Sequence, residues 1–157
     1  MSESILNGKK ILAVDDEPDV LAVLDEEIMD ACPNCILDKA TTYESAVKFL
    51  ESKPYDVVIL DIMGVRGFDL LELAVKKDLK VAMLTAHALS PEALKKSIEM
   101  KARAYLPKEK LGEVVPFLED ILKYDYETGW KRLMDKLYDF FKGKFESDWE
   151  MKMWIDK

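Results

Sequence analysis

Lys10-Ile11-Leu12-Ala13-Val14-Asp15-Asp16-Glu17 is an aliphatic run of strand length that stops abruptly in three carboxylates. An apolar run without alternation suits a strand covered on both faces, as in the middle of a parallel sheet. The same design returns downstream. Asp56-Val57-Val58-Ile59-Leu60 runs into Asp61, Lys80-Val81-Ala82-Met83-Leu84 into Thr85-Ala86, and Ala104-Tyr105-Leu106 into Pro107-Lys108. Cys35-Ile36-Leu37-Asp38-Lys39-Ala40 is also of strand type, but Asp38 and Lys39 mark it as an edge.

Helical segments lie between these runs. Leu21, Leu24 and Ile28, then Ala46, Val47 and Leu50, then Leu70, Leu71 and Ala74 recur three and four apart. The last segment is the clearest: Leu111, Val114, Val115, Leu118, Ile121 and Leu122 form one stripe, with Glu119, Asp120 and Lys123 mostly off it. The chain therefore reads as α/β, a (βα)5 doubly wound parallel sheet from about Lys9 to Lys123. Right-handed crossovers place helices on both faces, and a strand order of 2-1-3-4-5 creates a switch point between strands one and three where ligands gather.

The 157 residues fit a domain spanning 1–123 and an appendage spanning 124–157. With 49% hydrophobic and 34% charged residues, there is material for a core. A net charge of −8 repels phosphate backbones and anionic lipid, which argues against direct nucleic-acid or membrane binding. The apolar run Val57–Leu60 is far too short to span a bilayer, and Met1–Lys10 has no secretory apolar core, so the cytoplasm is the expected compartment. The two cysteines, Cys32 and Cys35, follow a helix instead of opening one, where a dipole would activate a thiol. One histidine in the chain leaves no second pair of ligands for zinc, so a turn broken by Pro33 is the reading there.

Residues 124–157 hold 9 of the 15 aromatics and all three tryptophans. Trp130, Leu133, Met134, Leu137, Phe140 and Phe141 repeat at helical spacing, Gly143 marks a break, and Phe145, Trp149 and Met153 continue four apart. This predicts a C-terminal helical hairpin. Its apolar stripe either folds back on the chain or pairs with a second copy as a homodimer. The segment's 7 basic and 8 acidic residues do not suggest DNA contact.

The predicted topology brings Asp15, Asp16 and Asp61 to one sheet edge. Two unit charges ~4 Å apart repel by about 4 kcal/mol at an effective dielectric near 20, so the cluster calls for a cation. Magnesium suits carboxylate and carbonyl oxygens, whereas zinc and copper favour the imidazoles and thiolates this edge lacks. Thr85 and Lys108 add a hydroxyl and an ammonium at the same edge, which completes the parts of a phosphoryl-transfer site.

On these residues, over about 9–123, the chain resembles the receiver domains of two-component response regulators. The resemblance implies that Asp61 accepts a phosphoryl group from the phosphohistidine of a sensor histidine kinase or phosphotransfer protein. It also implies that Asp15 and Asp16 anchor magnesium together with Asp61 and the Met63 carbonyl. Lys108 and Thr85 would receive phosphoryl oxygens, and Tyr105 would be the switch aromatic. Its movement would alter the face of helix four, strand five and helix five that a downstream protein target reads. His87 would sit where family members tune dephosphorylation. Catalysis would be limited to self-phosphorylation and autodephosphorylation.

The chain departs from the family pattern in two places. Asp61-Ile62-Met63-Gly64-Val65-Arg66-Gly67 is about two residues shorter than usual and lacks the usual proline, so either the loop is tighter or Gly64 supplies a left-handed turn. Lys108 is followed by Glu109 where a cis-proline is usual, and a cis bond there would cost ~2.5–4 kcal/mol. The shortened loop motivates an alternative reading, a receiver-shaped scaffold that no longer cycles. A flavodoxin-like flavin protein shares the sheet, but its phosphate would meet Asp15-Asp16-Glu17-Pro18-Asp19, an acidic loop.

Overall fold

The structure, a computed structural model, describes residues 4–86 and 91–144, with side chains described as far as 138. Five strands form one parallel sheet in the order β2-β1-β3-β4-β5: β1 Lys10–Val14, β2 Ile36–Ala40, β3 Val57–Asp61, β4 Lys80–Thr85 and β5 Ala104–Pro107. The helices are α1 Pro18–Ala31, α2 Tyr43–Ser52, α3 Gly67–Lys76, α4 Pro91–Glu99, α5 Val114–Lys123 and α6 Tyr126–Lys144. The doubly wound sheet and its strand order are as the sequence predicts.

The reason is burial. β3 is buried at every position and β1 at all but Lys10, whereas β2 leaves Ile36 50% exposed, as an edge strand does. Pro18 opens α1, where a fixed φ costs nothing, and a Thr42–Ser45 capping box opens α2. The predicted stripe before α5 is split: Leu111 lies in a 3-10 turn over Lys108–Glu113 and is still buried, and the α-helix begins at Val114. α4 is short and buries only Leu94 and Ser97, too weak a pattern to be read from periodicity.

Past α5, the chain turns back on itself. Trp130, Leu133, Met134 and Leu137 of α6 are buried in the same core as the sheet residues. The Trp130 indole N–H donates to the Ala102 carbonyl at 2.9 Å, and the Tyr126 hydroxyl donates to the Ile98 carbonyl at the end of α4. Asp120 of α5 takes Lys136 at 2.8 Å and Arg132 at 3.2 Å. Helix α6 thus packs over α5 and the β5 edge, and Trp130 and Leu137 serve the chain's own core. α6 runs through Gly143 to Lys144, contrary to the predicted break. A glycine costs a helix about 1 kcal/mol, too little to end one anchored by four buried side chains. Phe145, Trp149 and Met153, the predicted second helix, lie outside the described residues, as does His87.

Candidate functional site

The carboxyl ends of β1, β3, β4 and β5 converge because parallel strands in register end together. Val14 pairs with Leu60, Asp61 with Leu84, and Thr85 with Pro107, so the residues just beyond those pairs share one edge. Asp15 is fully buried, and its Oδ1 accepts the Glu17 N–H at 2.8 Å, which fixes the turn into α1. Asp61 is buried as well, while Asp16 is exposed on the same turn. Each of these three carboxylates offers an oxygen within 4.8 Å of the others.

Lys108 follows the last residue of β5 and reaches into the cluster. Its Nζ stands 2.8 Å from Asp15 Oδ2, 3.1 Å from Asp61 Oδ1 and 3.8 Å from Glu17 Oε2. Burial first, and then the charge of Asp15, push the Asp61 carboxyl up to about 6 against the opposing pull of Lys108. Burial works against the Lys108 ammonium too, but its bonds and charge interactions with Asp15 and Asp61 outweigh it and raise its pKa above the ordinary lysine value. The Lys108–Glu109 bond is trans, since no described peptide bond is cis.

Thr85 ends β4 and is buried beside this edge. Tyr105, opposite Met83 on the neighbouring strand, is wholly buried within β5. The Met63 side chain is 69% exposed on the loop after Asp61. That loop is tight. Gly64 takes a φ of +84°, the left-handed turn that the sequence suggests, and Arg66 takes +57° just before α3. Arg66 is pinned by Asp69 at 2.9 Å and by the Tyr43 ring at 4.0 Å. The Gly67 N–H donates to the Ile62 carbonyl at 3.2 Å, and its missing side chain leaves room for the Asp61 carbonyl.

Sequence reasoning did not foresee the Glu17 contact with Lys108, nor that Gly64 and Gly67 pack directly on the acidic residues. Two glycines three apart after a strand-ending aspartate were the available signal. Cys32 and Cys35 are free and buried; the Cys35 thiol donates to the Leu6 carbonyl at 2.9 Å, and burial pushes it up to about 12. Such thiols are inert, in line with a structural turn.

The donor set at the edge is oxygen only, carboxylates held too close to remain ionised together in comfort. It fits a hard divalent cation of the magnesium type and offers a softer metal no thiolate or imidazole among the described residues. A parallel (βα)5 sheet with three acids and a lysine at its carboxyl edge defines the class, a doubly wound domain with an acidic pocket at its switch point.

A family model described as the response regulator receiver domain matches residues 11–115, and the chain belongs to that family. It is 38% identical over 87 residues to the two-component response regulator ARR18 of Arabidopsis thaliana, a match covering 52% of this chain and 13% of that protein. A putative response regulator from Chloroflexus aurantiacus superposes with a TM-score of 0.66 at 26% identity, covering 75% of this chain and 100% of that one. A CheY-like receiver domain protein from Methanospirillum hungatei superposes at 0.60 with 24% identity, over 71% of this chain and 94% of that one, a likeness of fold. Among the described residues no helix is long and apolar enough to cross a membrane.

Proposed function

We propose that this chain is a phosphorylation-dependent switch of the cytoplasm, with 1–123 as the receiver and 124–157 as an extension. The observation that carries this reading is the buried Asp61 carboxylate, 3.1 Å from Lys108 and within 4.8 Å of Asp15 and Asp16. An Asp61 oxygen attacks the phosphorus of a phosphohistidine on a kinase or phosphotransfer partner. The N–P bond breaks, its electron pair leaves with the imidazole, and an acyl phosphate forms. Lys108 offsets charge on one phosphoryl oxygen, and the Thr85 hydroxyl donates to another. Magnesium held by Asp15, Asp16, Asp61 and the Met63 carbonyl would neutralise the remaining charge. Tyr105 is the aromatic whose repacking follows Thr85. The face of α4, β5 and α5 carries α6, so a downstream target meets a composite surface in which Trp130 and Leu137 are already engaged.

The reading is tested by incubating the chain with magnesium and acetyl phosphate and measuring intact mass. The expected result is a gain of one phosphoryl group that Asp61→Asn abolishes. No adduct on the unmodified chain would instead favour a non-cycling scaffold, the reading that the shortened loop motivates.

A further inference from the structure

Gly64 does more than turn the chain. A Cβ at this position would lie 2.5 Å from Asp16 Oδ2 and 2.6 Å from Asp16 Cγ and Oδ1, so the Asp16 carboxylate occupies the space a side chain would need. The loop has little freedom to back away. At one end Gly67 is seated against the Asp61 backbone with its N–H on the Ile62 carbonyl at 3.2 Å, and Arg66 holds a φ of +57° beside an exposed ion pair with Asp69. At the other end the Ile62 N–H donates to the Leu84 carbonyl at 3.0 Å. The yielding partner is therefore Asp16, whose carboxylate is exposed and ends a short side chain. A displaced Asp16 carboxylate would no longer hold the placement in which its oxygen lies within 4.8 Å of Asp15 and Asp61.

We propose that Gly64 is a positioning residue that sets divalent-cation affinity by seating the Asp16 carboxylate in the acidic pocket. This rests on the magnesium reading above. It assigns a role to the shortened loop: the loop comes close enough to serve as the back wall for one ligand.

The test is magnesium titration of the full chain by calorimetry. Gly64→Ala is expected to weaken binding by roughly tenfold or more, the usual cost of losing a group that orients a ligand. Two controls separate position from strain. Gly8 has a φ of +78° and nothing within 4 Å of a built Cβ, so Gly8→Ala carries similar backbone strain and should leave magnesium affinity unchanged. Gly64→Asn tolerates positive φ better but still carries a Cβ, so it should lose affinity as Gly64→Ala does even if the latter folds poorly. In the Asp16→Asn background, Gly64→Ala should add little further loss.

Unchanged affinity in both Gly64 variants, or a tenfold loss that persists in full without the Asp16 carboxylate, overturns the inference while leaving the magnesium reading intact. No magnesium binding by the unmodified chain overturns both.

Discussion

Asp61→Asn should make the metal-free protein more stable at neutral pH. In the folded chain the Asp61 carboxyl is pushed from its ordinary value of 3.8 up to about 6, because it is buried beside Asp15. The folded state thus holds a proton that the unfolded state releases earlier. Stability that this group contributes below pH ~4 is lost as pH rises through about 6, and the loss is complete above that. A shift of about two units corresponds to roughly 3 kcal/mol at 1.36 kcal/mol per unit, an upper bound for the cost of ionised Asp61. Asparagine keeps the shape without that charge. Lys108 loses a partner at 3.1 Å but retains Asp15 at 2.8 Å, so the net gain should be about 1–3 kcal/mol, or a few degrees in Tm. Urea unfolding in chelator at pH 7.5 and pH 4.5 measures it. The advantage should be full at the higher pH and about a third of that at the lower. A variant less stable than the unmodified chain at pH 7.5, or an advantage indifferent to pH, refutes the reasoning.

Lys108→Ala leaves two buried carboxylates facing each other and should cost about 3 kcal/mol in chelator, with magnesium restoring more stability to the variant than to the unmodified chain in thermal melts. Gly67→Ala drives a Cβ into the Asp61 carbonyl and should cost about 1–3 kcal/mol, whereas Gly129→Ala on α6, with nothing within 4 Å, should gain about 0.5–1 kcal/mol; denaturant midpoints give both signs. Trp130→Phe keeps an aromatic ring but strands the Ala102 carbonyl and should cost about 1–2 kcal/mol by the same measurement.

The sheet was legible because its signal is redundant. Every strand but the edge β2 is an apolar run, and β1, β3, β4 and β5 each end in or run directly into a polar residue of the site, so type and register reinforce one another. Asp15, Asp16, Asp61, Thr85 and Lys108 could be placed at one edge from strand order alone. α4 could not be read from periodicity, since it buries a serine and a single leucine as its inward face. The 3-10 turn before α5 was hidden because Leu111 is buried at either geometry. The stripe on α6 announced a helix but not what covers it. Its docking onto α5 and β5 depends on Ala102, Ile98 and Asp120, polar contacts that leave no period in the sequence. Packing of Gly64 on Asp16 was equally invisible, because a positive φ can be guessed from glycine whereas the neighbour across the pocket cannot.

The acidic pocket is where an otherwise consistent sequence breaks its own rules, and charge arithmetic shows what resolves the conflict. Asp15, Asp16 and Asp61, fully ionised, carry −3, and Lys108 returns +1, leaving −2 at the carboxyl edge of the sheet. Glu17 stands at the rim with its side chain 59% exposed, where water screens it. A residue of −2 is what one divalent cation cancels. Without that ion a proton on Asp61, held until about pH 6, relieves one unit of that excess. Proton and cation therefore compete for one negative charge, and the carboxylate they compete for is the proposed phosphoryl acceptor. At neutral pH the metal-free Asp61 is already mostly ionised at a cost in stability, and a bound divalent cation would offset that cost, so the instability of three close carboxylates and the proposed nucleophilicity of Asp61 would share one origin.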